Sequence, residues 1–484
     1  MNLKTISRNI GYALLVSALF MFLSAMVALL DGHDTSFGPL LISFTITFIV
    51  GAFPFIFVRR TTSITLKEGY LITVLSWLLS FIFGMLPYAL WGGPFTVENA
   101  WFESVSGFTT TGATILRDIE ALPKGLLFWR SSTHFIGGLG VVVFLLLIIP
   151  GASPIRMRLT NMELSSISRS SYSTRSNKTV FIFAYVYFGI FILSFVSYLL
   201  CGMSGFDAIC QAFSVSATGG FSTRNLSIAA FNSHAVEFVT IVFMLLSSIH
   251  FGLIFLTFAT RSLKPLKNPV LKFYLIALAV ISVSAGISLR FGNQGYTLGQ
   301  SLWYGLFQTV SIASTTGFAL ADNASWPMLT NIIVMIAAVM CGCAGSTVGG
   351  IKADRAIVMF KAIGCRISKN LHPSSINEVR LGNRILTDEE VYPHILYVVL
   401  YFILLAFSVL LSMAFGVNDH SAFAASVSTL GNVGQAIREL GGMGNYDAIP
   451  SAAKFLYTFN MFLGRIEIYP FLAVVAMIFD SKRR

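Results

Sequence analysis

Four stretches of this chain, Leu71–Leu90, Val180–Leu200, Val236–Phe258 and Leu271–Leu289, are almost wholly apolar. Each is close to the roughly 20 residues that a helix needs to cross a hydrocarbon core. Backbone in lipid must satisfy its own hydrogen bonds, so spanning segments are helices or closed barrels, and runs of this length select helices. The composition agrees: only 11% of the 484 residues are charged and 55% are hydrophobic. A soluble domain carries about 25% charged residues, so this chain cannot clothe a water-facing surface of its size. An all-α integral membrane protein is expected. Ile10–Leu30, preceded by Lys4 and Arg8, has the look of a signal sequence, but the apolar run Gly38–Val58 follows directly. Both are expected to stay, as an N-terminal helix pair.

The net charge of +11 is concentrated in a few loops: Arg59–Lys67, Arg156–Lys178, Arg261–Lys272, Lys352–Arg384 and Lys482–Arg484. The intervening loops hold little beyond Arg117, Lys124, Arg224, Arg290 and Arg438. A Lys/Arg excess marks cytoplasmic loops, which puts both termini inside and lipid around the spans. Basic residues interleaved with aromatics on a soluble face, the mark of a nucleic-acid binder, are missing, so no nucleic acid is expected. Cys201, Cys210, Cys341, Cys343 and Cys365 form no CxxC and have no histidine at metal-ligand spacing; they read as packing residues.

A rhythm follows the N-terminal pair. A long span, a short apolar stretch, a Thr/Ser/Gly turn and another span succeed one another four times. The short stretches, Asn99–Phe108, Phe206–Ser216, Leu302–Ala313 and Ala422–Thr429, are too short to cross and suit re-entrant segments. Aligned on a serine six residues before a glycine, the turns read SGFTTTGAT from Ser106, SVSATGGFS from Ser214, SIASTTGFA from Ser311 and STLGNVGQA from Ser428. Their glycines, Gly112, Gly220, Gly317 and Gly434, lie 108, 97 and 117 residues apart. One such turn is only a loop; four at near-equal spacing argue for four related units around a pseudo-fourfold axis, and repeat-built transporters place ion sites at repeat interfaces. The divisions are 1–62 for the helix pair, then 63–150, 151–260, 261–372 and 373–484 for the four span–hairpin–span repeats.

Irregular backbone at membrane depth survives where it is buried or lines a water-filled path. Carbonyl oxygens there can replace a cation's hydration shell. Glycine permits the conformations that turn carbonyls to one side, and threonine adds oxygen without charge. Each short helix points its partly negative C-terminal end at the turn, which favours a cation.

Six motifs, FESVSGFTTTGAT, FSVSATGGFST, QTVSIASTTGF, WRSSTHFIGGLG, CGCAGSTVGGIK and GRIEIYPFL, together resemble the Trk/Ktr/HKT superfamily of potassium transporters, nearest the bacterial Trk-type uptake subunits, along nearly the whole chain. The resemblance implies a filter with K+ as the bound permeant ion and no organic cofactor. Its contacts would be the carbonyls of Thr110, Thr111 and Gly112; Thr218, Gly219 and Gly220; Thr315, Thr316 and Gly317; and Asn432, Val433 and Gly434. Four glycines go with potassium selectivity in that family, and serine at the first goes with sodium preference. The fourth turn departs from its siblings, with no threonine pair and with Gln435 where relatives often carry proline. The resemblance also implies a homodimer in the bacterial inner membrane and a cytosolic ring of nucleotide-binding regulatory subunits of the TrkA kind. The basic loops 154–178, 261–272 and 351–390 are plausible docking surfaces for that ring.

Two further features bear on gating. Gly342, Gly345, Gly349 and Gly350, with Ser346 and Thr347, interrupt an apolar stretch between Val334 and Phe360. Each glycine costs a helix about 1 kcal/mol against alanine, so the segment 341–350 is expected to be unwound. It lacks the G-K-[ST] element of a phosphate loop. It could be a tight helix-packing patch; the resemblance favours an intramembrane gating loop below the filter. Arg465 stands in an apolar stretch, where a charge faces an interior or a water path. It could pair with another span or with Glu467, although residues two apart share no helix face; the resemblance points it into the pore as an electrostatic barrier. Arg130 is expected at the outer interface or bracing a filter loop, and His134 as a packed histidine. Glu103 could attract cations or bond filter amides, the second being favoured.

The function expected is channel-like potassium uptake. A sodium- or proton-coupled symport cycle would need ionisable coupling residues at the midplane, and Arg465, which keeps its charge, cannot shuttle protons. An integral-membrane enzyme would need converging His, Asp, Glu or Cys, whereas His134, His234 and His250 are scattered; no enzyme is expected.

Overall fold

The computed structural model describes residues 3–58, 65–138, 140, 176–292, 295–374, 377–382 and 384–481. The apolar opening runs form α1 (Leu3–Leu30) and α2 (Phe37–Phe57), an antiparallel pair. They approach closely at two glycines: a Cβ built on Gly11 would stand 2.7 Å from the Gly51 carbonyl oxygen. The other face of α1 rests on the helices Leu66–Gly84 and Lys124–Gly138.

Four groups of helices follow in order. The first holds α3 (Leu66–Gly84), α4 (Leu86–Trp91), the short α5 (Val97–Phe108) and α6 (Lys124–Gly138). The second holds α7 (Ser176–Leu200), the short α8 (Gly205–Ala217), α9 (His234–Ser248) and α10 (Phe251–Thr260). The third holds α11 (Pro269–Phe291), the short α12 (Leu298–Ala313), α13 (Met328–Val339) and α14 (Ala353–Leu371). The fourth holds α15 (Asp388–Ala414), the short α16 (Asp419–Leu430), α17 (Ser451–Arg465) and α18 (Tyr469–Ser481). The apolar run expected after α6, and most of the basic loop 154–178, lie outside the described residues.

The short helices start at defined points. Thr96, Ser204 and Thr297 each accept a hydrogen bond from the backbone N–H three residues on, at 3.1–3.3 Å, which satisfies a donor the helix cannot. At about 1.5 Å per residue even the 16-residue α12 extends only about 24 Å, short of the roughly 30 Å core. Outward faces of the long helices are apolar, as at Ile49, Leu193, Val280 and Leu410, as lipid contact requires.

Among the described residues six helices are long and apolar enough to cross a membrane, and two pairs qualify only when joined across a bend. The uninterrupted span expected over Val236–Phe258 is one of these, turning by 99° between α9 and α10. The cause lies about 95 residues further along the chain. The Ser248 carbonyl accepts from Cys343 N–H at 2.9 Å, and Phe251 N–H donates to the Gly345 carbonyl at 3.0 Å. The glycine-rich segment fits into the break and satisfies the backbone groups it frees. The stretch around Arg465 turns by 104° between α17 and α18, through Glu467 and Ile468, both at positive φ.

Candidate functional site

The four turns share one backbone geometry. Residues two before the aligned glycine are left-handed, with φ of +53° at Thr110, +56° at Thr218, +51° at Thr315 and +54° at Asn432. The glycines themselves follow at +80°, +76°, +76° and +80°. In every turn the N–H of the residue before the glycine donates to the carbonyl of the aligned serine at 2.9 Å: Thr111 to Ser106, Gly219 to Ser214, Thr316 to Ser311 and Val433 to Ser428. In three turns that serine's hydroxyl reaches forward to the carbonyl after the glycine, on Ala113, Phe221 and Phe318, each at 2.6 Å.

The turns close a ring. A Cβ built on Gly112 would overlap the Gly219 carbonyl oxygen; on Gly220, that of Thr316; on Gly317, that of Val433; on Gly434, that of Thr111. First turn touches second, second third, third fourth, and fourth first. Each contact is between a glycine and the carbonyl one residue before the next turn's glycine, and no backbone N–H of the described residues donates to those four carbonyls. Above the ring a cavity of about 150 Å³ is lined by all four glycines, with Arg130, Gln435 and Tyr446 on its walls.

The fourth turn departs as its sequence does. Asn432 donates from Nδ2 to Thr111 Oγ1 at 3.0 Å and to the Met461 carbonyl at 2.8 Å. Gln435 crosses to the third turn, where its Nε2 donates to the Gly317 carbonyl.

Glu103 and Arg130 brace the first two turns. Both are buried and pair at 2.6 Å. Glu103 accepts from Ile115 N–H at 3.2 Å and from the Thr114 hydroxyl, which matches the expected bonding to loop amides. Arg130 donates to the Ser222 carbonyl at 3.0 Å and lies 3.5 Å over the Phe221 ring. His134 also stacks on the Phe221 ring, with centroids 4.1 Å apart, and stands 3.3 Å from Ser214 Oγ. It is packed against the second turn, where a Cβ on Gly219 would strike it.

Below the ring sits the unwound segment between Val339 and Ala353, pinched at its neck by the parallel pairing of Met340 with Ile351 and Cys341 with Lys352. Thr347 Oγ1 lies 3.3 Å from Thr218 Oγ1 and from the Ser216 and Ser247 carbonyls. Gly349 N–H donates to Thr315 Oγ1 at 3.3 Å, and a Cβ on Gly349 would stand 2.8 Å from the Asn432 side chain. Ser346 closes the segment on itself, donating to the Cys343 carbonyl at 2.6 Å. Gly345 packs on His250, and Gly350 on Cys341. The segment therefore lies against three of the four turns.

Arg465 reaches across this level. It donates to the Thr347 carbonyl at 2.7 Å, to the Gly138 carbonyl at 3.0 Å and to the Gly137 carbonyl, tying the segment to the end of α6. Glu467 turns away from it, pairing with Lys352 and Arg355. This buried triad was not foreseen from the sequence. Its only signal is charge, in Lys352 and Arg355 directly after the glycines and in Glu467 within an apolar run.

Comparison with known proteins gives the family and the fold. A family description, TrkH cation transport protein, matches residues 40–483. The chain is 33% identical over 491 residues to the Trk system potassium uptake protein TrkH of Halomonas elongata, covering 100% of both. It is 30% identical over 488 residues to that of Escherichia coli K12, covering 99% of both. Its fold matches the crystal structure of the potassium transporter TrkH from Vibrio parahaemolyticus with a TM-score of 0.86 at 30% identity, over 98% of each chain. The chain belongs to the TrkH family of cation transport proteins, a family of multi-pass membrane transporters and not of enzymes.

Proposed function

We propose that the chain is the potassium-selective, channel-like membrane subunit of a Trk-type uptake system. The closed cycle of glycine-to-carbonyl contacts carries this reading. Four copies of one turn, each held by the same backbone bond, set a carbonyl oxygen of each turn against the glycine of its neighbour, which supports oxygens gathered about one axis. Carbonyls without donors in such a ring can replace the water around a dehydrated cation. The ring holds no carboxylate, so dipoles attract the ion without the tight binding that a fixed negative charge brings. The C-terminal ends of α5, α8, α12 and α16 add their partial negative charge.

Residues 341–350 and Arg465 act as the barrier beneath. The segment blocks the axis below the turns, and the guanidinium repels a cation leaving the ring. Two unit charges about 4 Å apart interact by roughly 4 kcal/mol at an effective dielectric of 20. Opening requires the segment to withdraw and Arg465 to release the Thr347 carbonyl. Nucleotide-binding subunits on the cytosolic basic loops supply that push, the chain working as a homodimer in the bacterial inner membrane with both termini inside. An inside-negative potential drives entry with about 2.3 kcal/mol per charge per 100 mV.

Growth of a potassium-uptake-deficient bacterial strain at low external potassium tests the reading. The chain restores growth, and Gly112→Ser abolishes the rescue or makes it sodium-sensitive. Rescue that tolerates serine at each of the four ring glycines in turn would contradict it.

A further inference from the structure

The ring has two levels of oxygens, and they are not equally free. The inner level, the carbonyls of Thr111, Gly219, Thr316 and Val433, receives no backbone donor from the described residues. The outer level consists of the glycine carbonyls. There the third and fourth turns differ from the first and second. Gly317 O accepts from Gln435 Nε2, and Gly434 O accepts from the Tyr446 hydroxyl at 3.2 Å. No hydrogen bond from the described residues reaches the Gly112 or Gly220 carbonyl.

We propose that Gln435 is a positioning residue that weakens cation binding at the outer level of the ring, leaving the inner level as the principal site; the proposal rests on the filter reading above. The orientation of the amide is fixed from behind. Gln308, on α12, donates from Nε2 to Gln435 Oε1 at 2.6 Å. The oxygen of Gln435 must face that donor, and its N–H must face the Gly317 carbonyl, which can only accept. The bond occupies a lone pair and sets the positive end of an N–H dipole beside the place where a cation would sit. Gln435 is 5% exposed, so little water competes with this arrangement. A weak outer level has a use: conduction needs binding firm enough for entry and loose enough for release.

The test measures potassium uptake by the full chain in proteoliposomes, as the external potassium giving half-maximal rate, together with the potassium-to-sodium ratio. Gln435→Leu removes the donor and keeps the bulk. Half-saturation is expected to fall about two- to tenfold, the equilibrium equivalent of one neutral hydrogen bond. Gln308→Leu, which frees the amide without touching the ring, is expected to shift it the same way by less. Unchanged half-saturation in both variants, or a rise, would overturn the proposal. If Gln435→Leu does not assemble, Gln435→Glu carries the test. It keeps the acceptor for Gln308, loses the donor and adds negative charge, so the fall is expected again and its absence refutes. Gly112→Ser in the same assay separates the two levels of inference. If Gly112→Ser changes the ion ratio while the Gln435 variants change nothing, only this proposal fails; if Gly112→Ser changes nothing, the filter reading fails with it.

Discussion

At the scale of single residues, the ring depends on what is missing from four glycines. Positive φ makes any side chain there costly, by about 1–2 kcal/mol, but the harder constraint is the next turn's carbonyl, which occupies the space of a Cβ. The sequence made these positions legible because one glycine recurs at near-equal spacing after the same serine. It did not reveal the partners of Arg465. An arginine in an apolar run says that something polar awaits it, yet the Gly137, Gly138 and Thr347 carbonyls are backbone atoms that carry no signature in residue type. Arg465→Ala removes both the clasp and the repelling charge. Cation leak through proteoliposomes without regulatory subunits is expected to rise at least tenfold, given a barrier of roughly 4 kcal/mol at full effect; flux equal to the parent would contradict the assigned role.

At the scale of elements, the short helices and the unwound segment were readable from length and glycine content, whereas the two bent helices were not. Hydropathy is blind to a bend. Val236–Phe258 has the apolarity of a straight span, and it breaks at Ile249 and His250 because a segment about 95 residues further along, at Cys343 and Gly345, supplies the missing hydrogen-bond partners. Such a contact is non-local and leaves no trace in the local pattern. The same insertion gives the segment its fit beneath the ring, which suggests how to loosen it. Gly349→Ala would drive a methyl against the Asn432 side chain and the Gly431 carbonyl, 2.8 and 2.9 Å from the built Cβ. The expected outcome is a raised open fraction with an unchanged potassium-to-sodium ratio in the same flux assay, since the methyl meets the foot of the fourth turn and none of the four ring carbonyls of Thr111, Gly219, Thr316 and Val433. A lowered ratio would mean that the segment shapes the filter and does not merely obstruct it.

At the scale of the whole molecule, four turns of one backbone geometry meet although their sequences agree at few positions beyond the serine and glycine. The apolar outer faces fix how each unit meets lipid, the caps of the short helices fix where those helices start, and the turns meet at the centre. The class of fold was evident from composition and run length alone, because so few charges leave no alternative. The convergence was an inference from repetition, and the cycle of contacts links successive turns some 100 residues apart and closes between the fourth and the first, whose glycines are 322 residues apart. Crystals of the full chain grown with rubidium, which scatters anomalously and has nearly the size of potassium, test that claim most directly. The account predicts an anomalous peak on the axis, within coordinating distance of the carbonyls of Thr111, Gly219, Thr316 and Val433 together. A peak bound by only one or two turns, or none within the ring, would contradict it.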